Sequence, residues 1–245
     1  MEDRKHISIF QSCMDCRMNK RILDMIDKGE LKQDDVIVRG AGLISQLRHN
    51  TYRFLMDKYV IDKVINRPHT DCGAMKTIMD NKKNGIWPGD ENLAELSRPF
   101  NSMSFRDSDE LERFNDLYQK ALTQNCFGLG TAVESEMVEF HEQPSKHKHV
   151  LIVSNPISVH DYYGLFDAVG ESIGDCYCVH KVKEDSASID LSIKRLNICN
   201  IVFVALPDEK IGVAAKRMER AKGKISAEYD DQIKVNLHSM KIKSA

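Results

Sequence analysis

Five side chains in the first third of this chain could do chemistry together: Cys13, Asp15 and Arg17 in one run, and His69 and Cys72 in another. Cysteine thiolates and imidazole are ligands that zinc prefers. Two thiolates and one imidazole leave the fourth tetrahedral position open, the form of a catalytic rather than a structural zinc site. A metal ion so held lowers the pKa of a bound water toward about 7 and delivers hydroxide at neutral pH. Asp15 could accept a hydrogen bond from that water or hydroxide. Arg17 could grip the carboxylate with a two-pronged charge-assisted bond, fixing its direction and keeping it ionised.

For these groups to meet, the chain must bring two distant turns to one edge. Ile7 to Gln11 reads as a strand that runs into the Cys13 turn. Ile22, Leu23, Met25 and Ile26 repeat at helical spacing, and Gly29 ends that helix. Asp35 to Val38 is a second strand, with Arg39-Gly40-Ala41-Gly42 as the glycine-rich turn at its end. Leu47, Thr51, Phe54 and Leu55 mark the next helix. Lys63 to Arg67 is a third strand and runs into His69-Thr70-Asp71-Cys72-Gly73. Alternating strands and helices predict an α/β fold with a mainly parallel sheet and flanking helices. With the first and third strands neighbours, Cys13, His69 and Cys72 converge at one sheet edge.

Residues 81–108 show little periodicity. A helix is expected over Ser108 to Gln124, with Leu111, Phe114, Leu117, Tyr118, Ala121 and Leu122 facing inward. A further helix is expected to bear Val133, Met137 and Phe140. Pro144 to His149 is a polar link and the best boundary. Beyond it the pattern begins again: strands at His149 to Ser154, Asp175 to Val179 and Asn200 to Leu206, with helices around Leu165 and over Ser186 to Leu196 and Ile211 to Ala221. Ile9 aligns with Ile152, Asp24 with Asp167, Asp35 with Asp175, Val64 with Ile201 and Asp71 with Asp208. We read an internal duplication, with a first αβ unit at 1–80, a connection at 81–148 and a second unit at 149–245. The second unit has lost the chemistry. Pro156, Ser158 and His160 align with Cys13, Asp15 and Arg17; Leu206 and Glu209 align with His69 and Cys72.

A net charge of -2 over 245 residues gives no bulk basic surface for nucleic acid or membrane. No apolar run approaches the roughly 20 residues of a bilayer span. Seven scattered cysteines without a signal-peptide core are expected as reduced thiols, in a cytoplasmic setting.

Cys13-x-Asp15-x-Arg17, then Val38-Arg39-x-Ala41-Gly42, then His69-x-x-Cys72-Gly73, resemble in order the three signature blocks of the β-class carbonic anhydrases. The resemblance covers about residues 6–80 and departs at Gly40 and Cys16, where the family has Asn and Ser or Ala. It implies one Zn2+ per chain on Cys13, His69 and Cys72, with Asp15 and Arg17 as the catalytic dyad. The implied activity is reversible hydration of CO2 to bicarbonate by a metal-bound hydroxide, that is, a zinc lyase with carbonate dehydratase activity. Since such enzymes form intimate dimers, the two units imply a pseudo-dimer, open to further pairing as a homodimer of pseudo-dimers.

Other readings of the same residues stay open. Cys16 could join Cys13, His69 and Cys72 in a closed Cys3His structural site, or pair with Cys13 for redox work. Asp15 could swing onto the metal and close it. Either closed site leaves a zinc-stabilised interaction protein. An open site could also hydrolyse CS2 or COS.

Overall fold

Short apolar runs bounded by turn residues become the strands of this protein. In the computed structural model, residues 4–43, 50–84, 97–128, 130–141, 150–181, 186–223, 225 and 232–240 are described. The first half runs β1 (His6–Cys13), α1 (Arg17–Asp27), β2 (Val36–Gly40), α2 (Asn50–Lys58), β3 (Val60–Arg67) and α3 (Gly73–Lys83). A 3-10 turn (Arg98–Phe100), the long α4 (Ser108–Phe127) and β4 (Ala132–Ser135) follow. The second half runs β5 (Val150–Ser154), β6 (Ile157–Ser158), α5 (Val159–Val169), β7 (Cys176–His180), α6 (Ser186–Leu196), β8 (Asn200–Ala205), α7 (Ile211–Lys222) and β9 (Lys234–Ser239). The polar link at Pro144 to His149, and Leu47, lie outside the described residues.

These strands form one nine-stranded sheet in the order β4-β3-β1-β2-β7-β5-β8-β9, with β6 alongside β2. Pairing is parallel within each half. It turns antiparallel where β2 meets β7, at Arg39 and His180. The expected α/β fold with a mostly parallel sheet and flanking helices is therefore present. Reading outward from that junction, β2-β1-β3-β4 on one side matches β7-β5-β8-β9 on the other.

The ladders also correct the register of the repeat. Phe10 lies beside Ile37 and Ile65, and Ile152 beside Cys178 and Val202. Phe10, not Ile9, is thus the counterpart of Ile152, and Asn155, not Pro156, stands where Cys13 does. A one-residue slip turns every side chain to the other face, and these six share one core layer. At the outer strands, Pro68 O accepts from Val138 N–H at 2.8 Å and Ala205 O from Met240 N–H at 3.0 Å, again in equivalent places.

Ile9, Ile37, Ile152 and Val204 are fully buried, each stabilising the fold by roughly 1.5–3 kcal/mol. Local signals set the helix ends. Asp107 accepts from Glu110 N–H at 2.9 Å and starts α4, while Ser158 accepts from Asp161 N–H at 3.1 Å and starts α5. Gly170 closes α5 with φ of 73°, a left-handed conformation that glycine adopts without steric cost.

Two expectations fail. The segment bearing Val133 is strand β4, not a helix, because Val133 pairs with Val64 at the edge of the sheet. On α4 the buried stripe is Leu111, Glu112, Asn115, Gln119 and Thr123, while Leu117 is 66% exposed. Polar partners beneath the helix, rather than its apolar face alone, decide how it lies.

Candidate metal centre

Strands β1 and β3 are hydrogen-bonded neighbours, so the turns that follow them open at one edge of the sheet. Cys13 ends β1, Cys72 caps α3 and His69 sits in the turn between β3 and α3. Their ligand atoms all lie within 4.8 Å of one another, and all three residues are buried. Among the described residues this is the one group of three or more His, Cys, Asp and Glu side chains placed to share a metal ion.

The donor set fits such an ion. The two sulfurs are 4.0 Å apart; tetrahedral zinc with bonds of ~2.3 Å would place them ~3.8 Å apart. His69 Nδ1 meets Thr70 O at 2.7 Å, which fixes the ring and leaves Nε2 as the ligating nitrogen. Nε2 is buried without a hydrogen-bond partner, a position that a metal ion satisfies. A cavity of about 10 Å³, the room of roughly one water molecule, is lined by the three ligands with Gly42, Leu43, Pro68, Glu112 and Asn115.

In the metal-free chain the three ligands shift one another's proton affinities. The Cys72 thiol and the His69 ring hold Cys13 well below the usual thiol range, against the effect of burial. The hydrogen bond to that thiolate, with burial, pushes Cys72 well up. Burial opposes charge on His69, yet the Cys13 thiolate and Asp15 raise it to about 9.

Asp15 and Arg17 stand beside the ligands as expected. Arg17 Nε and Nη2 donate to the two oxygens of Asp15 at 3.0 and 2.8 Å. Asp15 is buried, which raises its pKa, but the Arg17 bonds and the His69 charge outweigh that and leave it lowered. Asp15 Oδ2 is 4.0 Å from His69 Nε2. Arg17 also donates to Asp71 at 2.9 Å and lies over the Phe140 ring, 4.6 Å from its centre. Cys16 does not join the ligand group. It is buried beside Tyr177, and burial pushes its thiol up to about 11.

Other residues hold the site that the sequence did not single out for it. Arg39, fully buried, donates to Cys13 O at 3.0 Å and Asp15 O at 2.7 Å, and reaches Tyr162 OH of α5 at 2.9 Å. The second half supports the same turns. Cys178 N–H donates to Met14 O at 3.0 Å, and Ala41 N–H donates to Ser188 Oγ at 2.9 Å. Apolar periodicity alone does not reveal Glu112, Asn115 or Phe140 as neighbours of the site. Polar residues at 112, 115, 119 and 123, three or four apart, were the available signal.

At the equivalent place in the second half, the described residues keep no cysteine or histidine ligand; Asn155, Leu206 and Glu209 stand there. Arg217 of α7 donates to Asn155 Oδ1 at 2.6 Å and to Glu209 Oε2 at 3.2 Å. Asn155 and Glu209 are the counterparts of Cys13 and Cys72, so a guanidinium bridges the two positions that a metal ion would bridge in the first half.

No protein-family model, no curated protein and no solved structure matches the chain. Among the described residues no helix is long and apolar enough to cross a membrane.

Proposed function

We propose that this protein is a zinc enzyme of the β-class carbonic anhydrase type that reversibly hydrates CO2 to bicarbonate. The observation that carries this reading is the placement of an Arg17-gripped Asp15 carboxylate beside three converged ligands without being one of them. A zinc ion on Cys13, His69 and Cys72 would supply a Lewis acid that makes water nucleophilic near neutral pH. Asp15, with Oδ2 4.0 Å from His69 Nε2, would be placed to accept a hydrogen bond from a water held there. Arg17 keeps Asp15 ionised and holds both of its carboxylate oxygens. Gly42, Leu43 and Pro68 line the small cavity beside the ligands, which a substrate as small as CO2 would have to enter.

The two halves are read as a fused pair of related units, 1–80 and 149–245 joined by 81–148. The second is a partner that has exchanged its metal site for Arg217. Support for this comes from the matching strand order and from the contacts of Ser188, Cys178 and Tyr162 with the site's turns. Pairing of two such chains remains part of the proposal, as does a cytoplasmic setting with reduced thiols. Zinc-loaded protein is expected to speed the exchange of 18O from labelled bicarbonate into water. Stoichiometric zinc with exchange at the spontaneous rate counts against the reading.

A further inference from the structure

Helix α4 buries four polar side chains in one stripe. Glu112, Asn115, Gln119 and Thr123 are each no more than 3% exposed. An apolar stripe would bury the same surface without the cost of desolvating polar groups, so their partners matter. Glu112 Oε1 accepts from Cys72 N–H at 2.8 Å, and the same carboxylate takes the Asp71 amide. Asn115 Nδ2 donates to Gly42 O at 2.9 Å. Gly42 N–H in turn donates to Cys13 Sγ at 3.4 Å. Further along, Gln119 donates to Asn115 Oδ1 at 2.9 Å, and Thr123 donates to Gln119 O at 2.7 Å.

The first two residues of the stripe therefore hold the Cys72 turn and the Gly42 turn that contacts the Cys13 sulfur. We propose that Glu112 and Asn115 are positioning residues of the metal centre, clamping Cys72 and the Gly42 turn so that both sulfurs face one ion. Neither residue ligates the metal. Glu112 fixes the backbone of Cys72 at the start of α3, where no side chain of α3's own cap does so. Asn115 holds the carbonyl of Gly42, the residue whose amide donates to the Cys13 sulfur. Both come from one rigid helix, so the distance between the two turns is set by a single element. Thr123 belongs to the same stripe but lies about two helical turns away from Asn115. It supports the fold and not the ligands.

A helix cap with no bearing on the metal would use the same Glu112 bond, so the test separates fold from ligand geometry. Glu112→Gln puts an amide NH2 where one of two accepting oxygens stood, and Asn115→Leu removes the donor to Gly42. Both are expected to weaken zinc binding 10- to 100-fold, the effect typical of lost outer-shell partners. Zinc competition against a chromogenic chelator reads this change, and the visible bands of the cobalt(II)-loaded protein are expected to shift. Thr123→Val is expected to lower the melting temperature of the metal-free chain while zinc affinity and cobalt bands stay at parent values. Parent-like zinc affinity and cobalt spectra in Glu112→Gln and Asn115→Leu overturn the proposal. So does equal weakening of zinc by Thr123→Val. Should Glu112→Gln not fold, Asn115→Leu gives the same readings. The inference rests on the zinc centre of the proposed function but not on its reaction. A parent chain that binds zinc yet does not hydrate CO2 removes the activity alone, and a parent chain that binds neither metal overturns both.

Discussion

Arg17 grips Asp15 through Nε and Nη2, at 3.0 and 2.8 Å, and leaves Asp15 Oδ2 4.0 Å from His69 Nε2. The carboxylate is thereby held next to the ligand cluster while its charge is already matched by a guanidinium. For Asp15 to close the site it would have to leave both bonds and desolvate Arg17, which is itself largely covered by Phe140 and Asp71.

Asp15→Asn keeps the size and an accepting oxygen but loses the charge and one of the two acceptors for Arg17. We expect zinc content to stay at the parent level and CO2 hydration to fall by roughly 10²-fold or more. Metal analysis beside the rate measurement checks this. Loss of zinc with the rate would mean that Asp15 is a ligand.

Zinc uptake should release protons. The Cys72 thiol and the His69 ring hold Cys13 well below the usual thiol range, while Cys72 is pushed well up and His69 is raised to about 9. At pH 7 both of the latter are protonated and both must lose a proton to bind. Calorimetry in buffers of different ionisation enthalpy is expected to show about two protons released per zinc. Affinity should rise with pH toward 9. Release close to zero would contradict protonation of Cys72 and His69 in the metal-free chain.

Arg39 is fully buried and has neutral oxygens as its partners: Cys13 O, Asp15 O, Asn19 Oδ1 and Tyr162 OH. Arg39→Met removes the charge but strands these acceptors. Leaving buried acceptors unsatisfied costs roughly 1–3 kcal/mol each, so a loss of several kcal/mol is expected. Chemical denaturation measures it. Arg39→Lys should also be destabilised, since a single ammonium cannot span four acceptors set around a planar fork. Parent-like stability of both would show that these bonds add little.

His180 sits at the junction of the two halves, fully buried, with Nδ1 2.8 Å from Ser154 Oγ. Burial, with Arg39 and Arg217 nearby, holds its pKa well below the ordinary value. Its folded pKa is depressed, so below an unfolded pKa of about 6.5 the unfolded chain binds the extra proton. Its contribution is complete above that pH and is lost progressively as pH falls below it. His180→Gln should flatten the decline of stability below about pH 6.5 by up to ~1.4 kcal/mol per pH unit. Melting curves from pH 5 to 8 test this, and identical slopes in parent and variant contradict it.

Much of the arrangement could be read from the chain because each strand and helix of the first half carries a clean period and a turn residue at its end. Gly29, with φ of 70°, follows the end of α1, and the strand-end turns hold Cys13 and the His69 to Cys72 run. The gathering of these ligands followed from one topological inference, that β1 and β3 are neighbours. What stayed hidden depends on long-range partners. Val133 reads as helical until Val64 is known to lie beside it. Leu117 reads as core until Glu112 and Asn115 are seen to be held by Cys72 and Gly42. The one-residue register error likewise needed the ladders, since loops absorb slips without trace in a sequence. Nothing in the spacing of α7 marks Arg217, which the fold buries between Asn155 and Glu209.

The central claim is that Cys13, His69 and Cys72 hold a working zinc ion with Asp15 beside it. Stopped-flow CO2 hydration on protein of known zinc content tests it most directly. The account predicts a rate proportional to zinc, rising across roughly pH 6 to 9 as the nucleophile ionises, and abolished by Cys72→Ser. Full zinc occupancy with no acceleration anywhere in that range would contradict it.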